Sequence, residues 1–391
     1  MTTPSAVPTP NRTRRLRIAI VANGIHQRGG MERASAELVQ RIAPHHDVHL
    51  FSSDIADIDT GNVTVHHIAP PKKPFLLYFM LFYAQTSRAV RFKDFDIVHT
   101  VGGITKRQNF VTAQYCQAAW GKIMDRSPIG LDGLNAYARL MCRVAEKVER
   151  DTYGSPDLLG VHSVSSQVRT ELHEHYGLPQ SKVRVIHNAV NQERFHPDKR
   201  AHRAEIRARY GIAEDVPLMV FAGEWRRKGL ANIIRAMAKL SPGSSKVHLL
   251  AVGRGDEAIY RGLAEAGGVA NRVVLAPATP DIEKVLAAGD MFVFPTFYEA
   301  FSLVVTEALA SGLPVITTQA SGTAEVLKNG ESGIVLPDPT DITALASAID
   351  ALVAATPAER ERMGAAARQA VAPLTWDNIA AQIEQFYFDV V

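Results

Sequence analysis

The sequence predicts an α/β protein of two domains, each built around a doubly wound parallel sheet. The 391 residues are too many for one domain of about 150 residues. Short apolar runs that end in glycine alternate with segments of helical spacing, which is the pattern of βαβ units. This alternation stops in the polar stretch 191–203 and then starts again, so we place the linker between the domains there.

The first half opens with a buried strand at 17–22, then Gly24 and the pair Gly29-Gly30, then a helix over 31–42. A helix that is charged on one face is predicted over 133–152. Further strands of this half are predicted at 48–51, 95–100, 159–163 and 183–187.

The second half repeats the alternation, with an amphipathic helix predicted at 230–240. Its strands are predicted at 217–222, 247–252, 271–275, 291–294, 314–318 and 333–337. Ligands of such sheets bind at the carboxyl ends of the strands. We therefore expect the two halves to face a cleft that holds the ligand.

Composition excludes several classes of protein. A chain that is 46% hydrophobic and 21% charged is neither fibrous nor disordered as a whole. A net charge of +3 is too small to indicate a nucleic-acid partner. Two cysteines, Cys116 and Cys142, form no disulfide framework and fit a reducing cytoplasm. Residues 1–13 are expected to be a disordered tail without the apolar core of a secretory signal.

The most apolar segment is the stretch 74–84, which is shorter than a membrane-spanning helix. Five basic residues flank it: Lys72, Lys73, Arg88, Arg91 and Lys93. Two interpretations remain open. In the first, the stretch is a buried helix. In the second, it is a helix that rests on an anionic membrane surface, and the protein then binds the inner face of the plasma membrane.

The most informative motif lies in the stretch 295–315, directly after a predicted strand. Ser302 is placed to cap a helix that carries Glu307, and Glu299 lies in the loop before it. A carboxylate at a strand end can accept hydrogen bonds from the vicinal hydroxyls of a sugar or a ribose. The alternative is that one glutamate caps a helix and the other lies on a solvated helix face.

The second motif is the loop from Gly223 to Gly229, which contains three consecutive cations before a predicted helix. Cations and the free N–H groups of a helix N-terminus together suit a pyrophosphate. The alternative is a solvated basic loop, and Arg226 is the cation that fits this alternative best.

Two further glycine pairs carry less information. Gly29-Gly30 allows close approach of backbone to a phosphate. Gly253 and Gly255 lack the third glycine of the dinucleotide fingerprint, which argues against a nicotinamide cofactor. Asp57 and Asp59 match an Asp-x-Asp metal pattern, but they lie in a polar loop and are interpreted as solvated residues. No other group of His, Cys and carboxylate residues has metal-ligand spacing, so we expect no metal and no cofactor besides the substrate.

Over residues 16–391 the chain resembles the retaining glycosyltransferases of family four, which have the GT-B fold of two Rossmann-like domains. Among them it is most similar to bacterial lipopolysaccharide core glucosyltransferases, which share the Arg-Lys-Gly loop and Glu-Ala at 299 and 300. The motifs that carry the resemblance are Glu299-x7-Glu307, 29–33, 164–165, 185–190 and 223–229.

The resemblance implies an acceptor domain at 14–195, a donor domain at 196–371 and a C-terminal helix at 372–391 that crosses back to the first domain. Arg227, Lys228 and Glu299 would be catalytic: the cations would hold the diphosphate, and Glu299 the hexose. The donor-binding set that it implies is Gly30, Ser165, Gly223, Arg227, Lys228, Pro277, Glu299, Ala300, Phe301, Ser302, Leu303 and Glu307.

Within that set, Glu307 would bind the ribose, the N–H groups of 300–302 would help to hold the hexose, and Gly30 would reach the β-phosphate. Gln114 and Arg33 would lie on the acceptor side. The chain departs from many relatives at Glu224, at Gln114, and at Ala300 and Ser302, where a glycine is common, so a narrower sugar pocket is expected.

The implied reaction moves a hexose, with glucose favoured, from a UDP-sugar to a hydroxyl of a glycan, a lipid-linked or a small-molecule acceptor. The configuration would be retained without a metal ion. Two alternatives remain: a nucleotide-sugar epimerase or hydrolase on the same fold, and a decayed transferase that acts as a binding protein. A dinucleotide oxidoreductase is disfavoured because its glycine fingerprint is missing.

Overall fold

The computed structural model describes residues 14–126 and 136–391. The expected tail at 1–13 lies outside the described residues, as do the first residues of the helix predicted at 133–152. The chain divides into two compact units. Unit 1 contains the residues up to Ala189 together with Leu374–Val391, and unit 2 is Val190–Pro373. The first boundary lies after Ala189, a few residues before the boundary at residue 195 that the sequence predicted.

Unit 1 contains a seven-stranded parallel sheet with the strand order β5-β3-β1-β6-β7-β8-β9, and a separate pair, β2 and β4. Their bounds are β1 (Arg17–Val21), β2 (Gly24–Ile25), β3 (Asp47–Ser52), β4 (Asp54–Ile55), β5 (Val63–His67), β6 (Ile97–Val101), β7 (Phe110–Ala113), β8 (Gly160–Ser163) and β9 (Val183–Val185). Its helices up to Ala189 are α1 (Gly30–Ile42), α2 (Phe75–Ala89), α3 (Gln117–Arg126), α4 (Ala136–Tyr153) and α5 (Ser166–Tyr176).

Strand β1 shows why this sheet needs helices on both faces. Ile18 and Ile20 belong to the hydrophobic core that α1 covers, whereas Ala19 and Val21 belong to a second core that α2 covers. Successive side chains of a strand point to opposite faces, so an unbroken apolar run buries both.

Helix α2 contains all but the first residue of the apolar stretch 74–84, for which the sequence left open burial in the core or contact with a membrane surface. Tyr78, Phe82 and Thr86 recur every fourth residue and are buried. On the other faces Leu77 and Met80 are 43% and 56% exposed. The helix is therefore buried on one side only, and it presents apolar side chains on the other.

Unit 2 contains a six-stranded parallel sheet with the order β12-β11-β10-β13-β14-β15. Its strands are β10 (Leu218–Glu224), β11 (His248–Arg254), β12 (Val273–Pro277), β13 (Met291–Phe294), β14 (Val315–Thr318) and β15 (Ile334–Leu336). Its helices are α6 (Arg203–Arg209), α7 (Leu230–Met237), α8 (Glu257–Ala266), α9 (Ile282–Ala288), α10 (Leu303–Ala310), α11 (Ile342–Ala354) and α12 (Pro357–Val371).

The polar stretch 191–203, which the sequence suggested as a linker, is packed into unit 2. Arg194 donates to Glu283 from Nε at 3.0 Å and from Nη2 at 2.8 Å, and Phe195 is buried. The polar composition of this stretch therefore reflects an ion pair and hydrogen bonds with α9 rather than a free connection.

The last helix, α13 (Trp376–Val390), belongs to unit 1. Its Tyr387 hydroxyl lies 2.5 Å from Nδ1 of His99 on β6, and Glu384 Oε1 lies 2.9 Å from Nε2 of His46. All four side chains are buried. Buried polar groups need such partners, so these contacts define where the helix docks.

Candidate active site

The cation loop of unit 2 joins β10 to α7 through two glycines in the left-handed region. Gly223 has φ +134° and Gly229 has φ +84°. A side-chain carbon at Gly229 would overlap the backbone carbonyl of Pro295, so the loop approaches the segment after β13 as closely as a glycine allows.

Glu224 holds the start of this loop in place. Its two carboxylate oxygens accept the backbone N–H groups of Arg226 at 3.0 Å and Arg227 at 2.9 Å. The sequence marked Glu224 only as a departure from relatives. The structure gives it a positioning role, because it orders the backbone of the cations that follow.

Arg227, Lys228 and Glu299 meet although they lie about seventy residues apart in the chain. Lys228 Nζ lies 2.6 Å and Arg227 Nη1 3.1 Å from the same oxygen, Oε2, of Glu299. Arg227 also donates to the carbonyl of Tyr298 at 3.1 Å. They meet because β10 and β13 are parallel neighbours, so both loops leave the same edge of the sheet.

The cluster is charged at neutral pH. Burial of Glu299 on its own raises the pKa of a carboxyl, but the adjacent Lys228 and Arg227 outweigh it, and the pKa of Glu299 is lowered. Lys228 Nζ also lies 4.8 Å from the centre of the Phe294 ring. Two cations facing one carboxylate leave an excess positive charge, which suits a di- or polyanionic ligand.

The loop after β13 leads into α10, and Ser302 caps that helix as the sequence predicted. Its Oγ accepts the N–H of Val305 at 3.4 Å. One detail differs: the Ser302 N–H, expected to face a sugar, donates to Thr323 Oγ1 at 2.7 Å. Ala300 and Phe301 are buried, Leu303 is half-buried and begins α10, and Glu307 is buried within the helix.

Other donor residues of the expected set lie at strand ends or helix starts. Gly223 belongs to β10, where a side-chain carbon would press on Lys228. The exposed Pro277 ends β12, which β11 separates from β10 in the same sheet. In unit 1, Gly30 begins α1. Ser165 is fully buried and its Oγ caps α5 by accepting the N–H of Val168 at 3.2 Å, so its side chain serves the helix in this structure.

The two residues expected on the acceptor side both belong to unit 1. Gln114 directly follows β7, and its Oε1 accepts a hydrogen bond from Asn188 at 3.2 Å. Arg33 lies on α1 and donates from Nε to the carbonyl of Gln27 at 3.3 Å.

A cavity in unit 1, which sequence analysis missed, opens near Gln114. Its volume is about 360 Å³, and it lies at the carboxyl ends of β1, β6 and β7. Helices α2, α3 and α4 contribute Phe79, Trp120 and Met141 to its walls. Its lining comes from segments spread over more than a hundred residues, and no single stretch of sequence signals it.

Residues 14–126 and 136–391 contain no group of three or more His, Cys, Asp or Glu residues placed to hold a metal ion. Among the same residues no single helix is long and apolar enough to cross a membrane. One pair of helical segments, Ile342–Ala354 and Pro357–Val390, is long and apolar enough when the two are taken together, but the pair is bent by 114°.

Two family models match the chain. Residues 28–194 match Glycosyltransferase Family 4, and residues 202–370 match Glycosyl transferases group 1. An uncharacterised glycosyltransferase of Methanocaldococcus jannaschii is 25% identical over 352 residues, covering 87% of this chain and 88% of that protein. Lipopolysaccharide glucosyltransferase WaaG of Escherichia coli is 27% identical over 195 residues, which are 49% of this chain and about half, 52%, of WaaG.

Solved structures agree on the fold. The crystal structure of WaaG superimposes with a TM-score of 0.79 at 19% identity, covering 94% of this chain and 99% of that one. Anabaena HepE in complex with UDP-glucose gives a TM-score of 0.71 at 17% identity, with 95% and 99% covered.

These folds and matches define the class of protein: it is a glycosyltransferase with the GT-B fold. More particularly, the chain belongs to glycosyltransferase family 4 and is similar to the lipopolysaccharide core glucosyltransferases.

Proposed function

We propose that this enzyme transfers a hexose, with glucose favoured, from a UDP-sugar to an acceptor hydroxyl, with retention of configuration and without a metal ion. The observation that carries the proposal is the convergence of Arg227 and Lys228 on Glu299 at the carboxyl edge of the unit 2 sheet. The preference for UDP-glucose is supported by the names of similar proteins, a glucosyltransferase and a protein solved with UDP-glucose.

The charges of the cluster suggest how the leaving group is stabilised. When the bond between the anomeric carbon and the diphosphate oxygen breaks, negative charge develops on the diphosphate. In this structure Arg227 and Lys228 contact the Glu299 carboxylate. In the proposed reaction the two cations contact the diphosphate instead and neutralise its developing charge. Preorganised cations in a half-buried site do this with little reorganisation.

The rest of the reaction needs no protein nucleophile in this proposal. The acceptor oxygen bonds to the anomeric carbon on the face that the diphosphate leaves, and the hydroxyl proton passes to an oxygen of the departing UDP. Glu299, released from the cations, is then available to hydroxyls of the hexose, and Glu307 to the ribose. Atoms and charges balance with UDP and the glycosylated acceptor as products.

Ligand-induced stabilisation tests the donor assignment. A ligand at 100 times its Kd adds about 2.7 kcal/mol to the free energy of unfolding, which raises Tm by several degrees. We expect UDP to raise Tm, in the presence or absence of EDTA, and GDP and NAD to have little effect. A GDP-selective shift overturns the choice of nucleotide, and a shift abolished by EDTA overturns metal independence.

Turnover distinguishes the transferase from its two alternatives. A transferase releases UDP from UDP-glucose faster when an acceptor is added. An epimerase or hydrolase converts the donor at full rate without one. A decayed enzyme binds UDP, but converts UDP-glucose neither alone nor with any acceptor.

We also propose that the enzyme works at an anionic membrane surface, where its acceptor is presented. The support is α2, whose Leu77 and Met80 are exposed beside the cations Lys72 and Lys73. The full chain should sediment with vesicles that contain phosphatidylglycerol and not with pure phosphatidylcholine. The double variant Leu77→Ser, Met80→Ser should lose this binding, and equal sedimentation of variant and parent would remove α2 from the proposal.

A further inference from the structure

The unit 1 cavity has mainly apolar walls, which suit a ligand with an apolar body. Phe79, Trp120 and Met141 line it together with Val101 and Ile104. Its volume of about 360 Å³ lies in the range of small-molecule sites, which are mostly apolar with a few placed polar groups. Six uncharged polar side chains also line it and can hydrogen-bond a ligand hydroxyl: Asn23, Ser35, Gln114, Tyr115, Gln117 and Tyr137.

The charges around the cavity define which molecules it accepts. Two carboxylates, Glu32 and Glu149, line it, and no Lys, Arg or His does so among the residues that the structure describes. Burying a phosphate against these carboxylates would leave like charges unpaired in an apolar site. The lining therefore favours a ligand whose buried part is uncharged.

Glu149 supplies a polar anchor at the cavity wall. Its Oε2 accepts both the Gln117 N–H at 3.0 Å and the Tyr176 hydroxyl at 2.8 Å. Burial raises the pKa of Glu149 to about 7, so the carboxyl can accept from, or donate to, a ligand hydroxyl close to neutral pH.

We propose that this cavity binds the apolar body of an uncharged aryl alcohol, which serves as the acceptor of the transferred hexose. Its role as acceptor rests on the proposed function, whereas its binding does not. The proposal narrows the acceptor from any hydroxyl compound to one whose glycosylated end is apolar and carries no phosphate. The binding proposal rests on the apolar lining of the unit 1 cavity and on its two carboxylates, Glu32 and Glu149, and does not depend on the cation cluster in unit 2.

Two probes with the same aryl body test the charge preference: 2-naphthol, which is neutral, and 2-naphthyl phosphate. Equilibrium dialysis of the full chain without a donor should show saturable binding of 2-naphthol. The phosphate should bind about tenfold more weakly or worse, because it meets the two carboxylates. Equal or tighter binding of 2-naphthyl phosphate overturns the proposal.

A matched pair of substitutions on α4 tests the location. Ala145 lines the cavity, whereas Leu140 is exposed on the same helix and does not line it. Ala145→Phe should fill the space and weaken 2-naphthol binding about tenfold or more, and Leu140→Phe should leave it within twofold of the parent. If both variants bind like the parent, the cavity is not the site. Should Ala145→Phe fail to fold, Met141→Trp fills the same space.

UDP-induced stabilisation of the same proteins separates the two proposals. If 2-naphthol binds in the cavity and UDP does not stabilise the chain, the donor assignment fails and the cavity assignment stands. If UDP stabilises the chain and 2-naphthol does not bind, the cavity assignment fails alone. If both bind, incubation with UDP-glucose and 2-naphthol should yield naphthyl glucoside, and its absence overturns the acceptor role.

Discussion

Replacing Lys228 by alanine isolates the contribution of one cation to the transfer reaction. Lys228 Nζ lies 2.6 Å from Glu299 Oε2, and both side chains are less than one-fifth exposed, at 14% and 17%. Removing one preorganised donor of a charged transition state costs about 10²–10³ in rate, or about 2.7–4 kcal/mol. We therefore expect Lys228→Ala to lower kcat by that factor.

The same substitution has a smaller effect on stability. Leaving a buried charge without any partner costs about 3–5 kcal/mol. Glu299 keeps Arg227 at 3.1 Å, so the expected loss in the free energy of unfolding is only about 1–2 kcal/mol. Folded protein therefore remains for the kinetic comparison, and thermal unfolding of the variant checks this directly.

Initial rates of UDP release from UDP-glucose with a saturating acceptor measure the kinetic effect. Arg226→Ala is the matched control, because Arg226 is the exposed cation of the same loop. It should retain activity within threefold of the parent. A loss below threefold for Lys228→Ala, or an equal loss for both variants, would refute the assignment of the diphosphate to this cluster.

Three further substitutions probe other features. Glu299→Gln removes the carboxylate that occupies the two cations, so calorimetry should show UDP binding about tenfold more tightly while hexose transfer slows; weaker UDP binding would contradict this. Gly229→Ala forces a side chain into a backbone with φ +84° and against Pro295, so chemical denaturation should show a loss of about 2 kcal/mol or more, whereas Gly262→Ala, which meets no atom, should cost nothing. Glu149→Gln should stabilise the protein by about 3 kcal/mol at pH 8, because burial raises the carboxyl pKa from 4.5 to about 7. Between pH 4.5 and 7 the folded parent holds a proton on Glu149 that the unfolded chain has lost, so the free energy of unfolding of the parent falls as pH rises through this range. Thermal unfolding at several pH values measures this fall. An equally steep fall in the variant would exclude Glu149 as the cause.

The main elements of the fold were predictable because most buried strands are short apolar runs that alternate with segments of helical spacing. Strand β13 was predicted with its observed bounds, and α1 began within one residue of its observed start. Strands β5 and β7 were missed for a physical reason. β5 lies at the sheet edge and leaves several side chains partly exposed, and β7 has only four residues, Phe110–Ala113.

The site was predictable as a set of strand-end residues, but its contacts were not. Parallel strands deliver their following loops to one edge, which is why Arg227 and Glu299 could be assigned to one region. The sharing of one oxygen by two cations, and the capture of two backbone N–H groups by Glu224, depend on loop conformations that have no sequence period. The unit 1 cavity depends on packing between distant segments, so it could not be seen before the structure.

The docking of α13 on unit 1 makes the order of synthesis matter to this protein. The hydroxyl that satisfies His99 belongs to Tyr387, which lies 288 residues further along the chain. Residues up to Ala189 leave the ribosome without the helix that covers Ile18 and Ile20, and unit 2 is made in full before that helix exists. The first unit to be synthesised is therefore the last to complete its core. A nonsense mutation or proteolytic cut near residue 374 would expose apolar surface in the unit that carries the N-terminal strands, and would spare the neighbouring one.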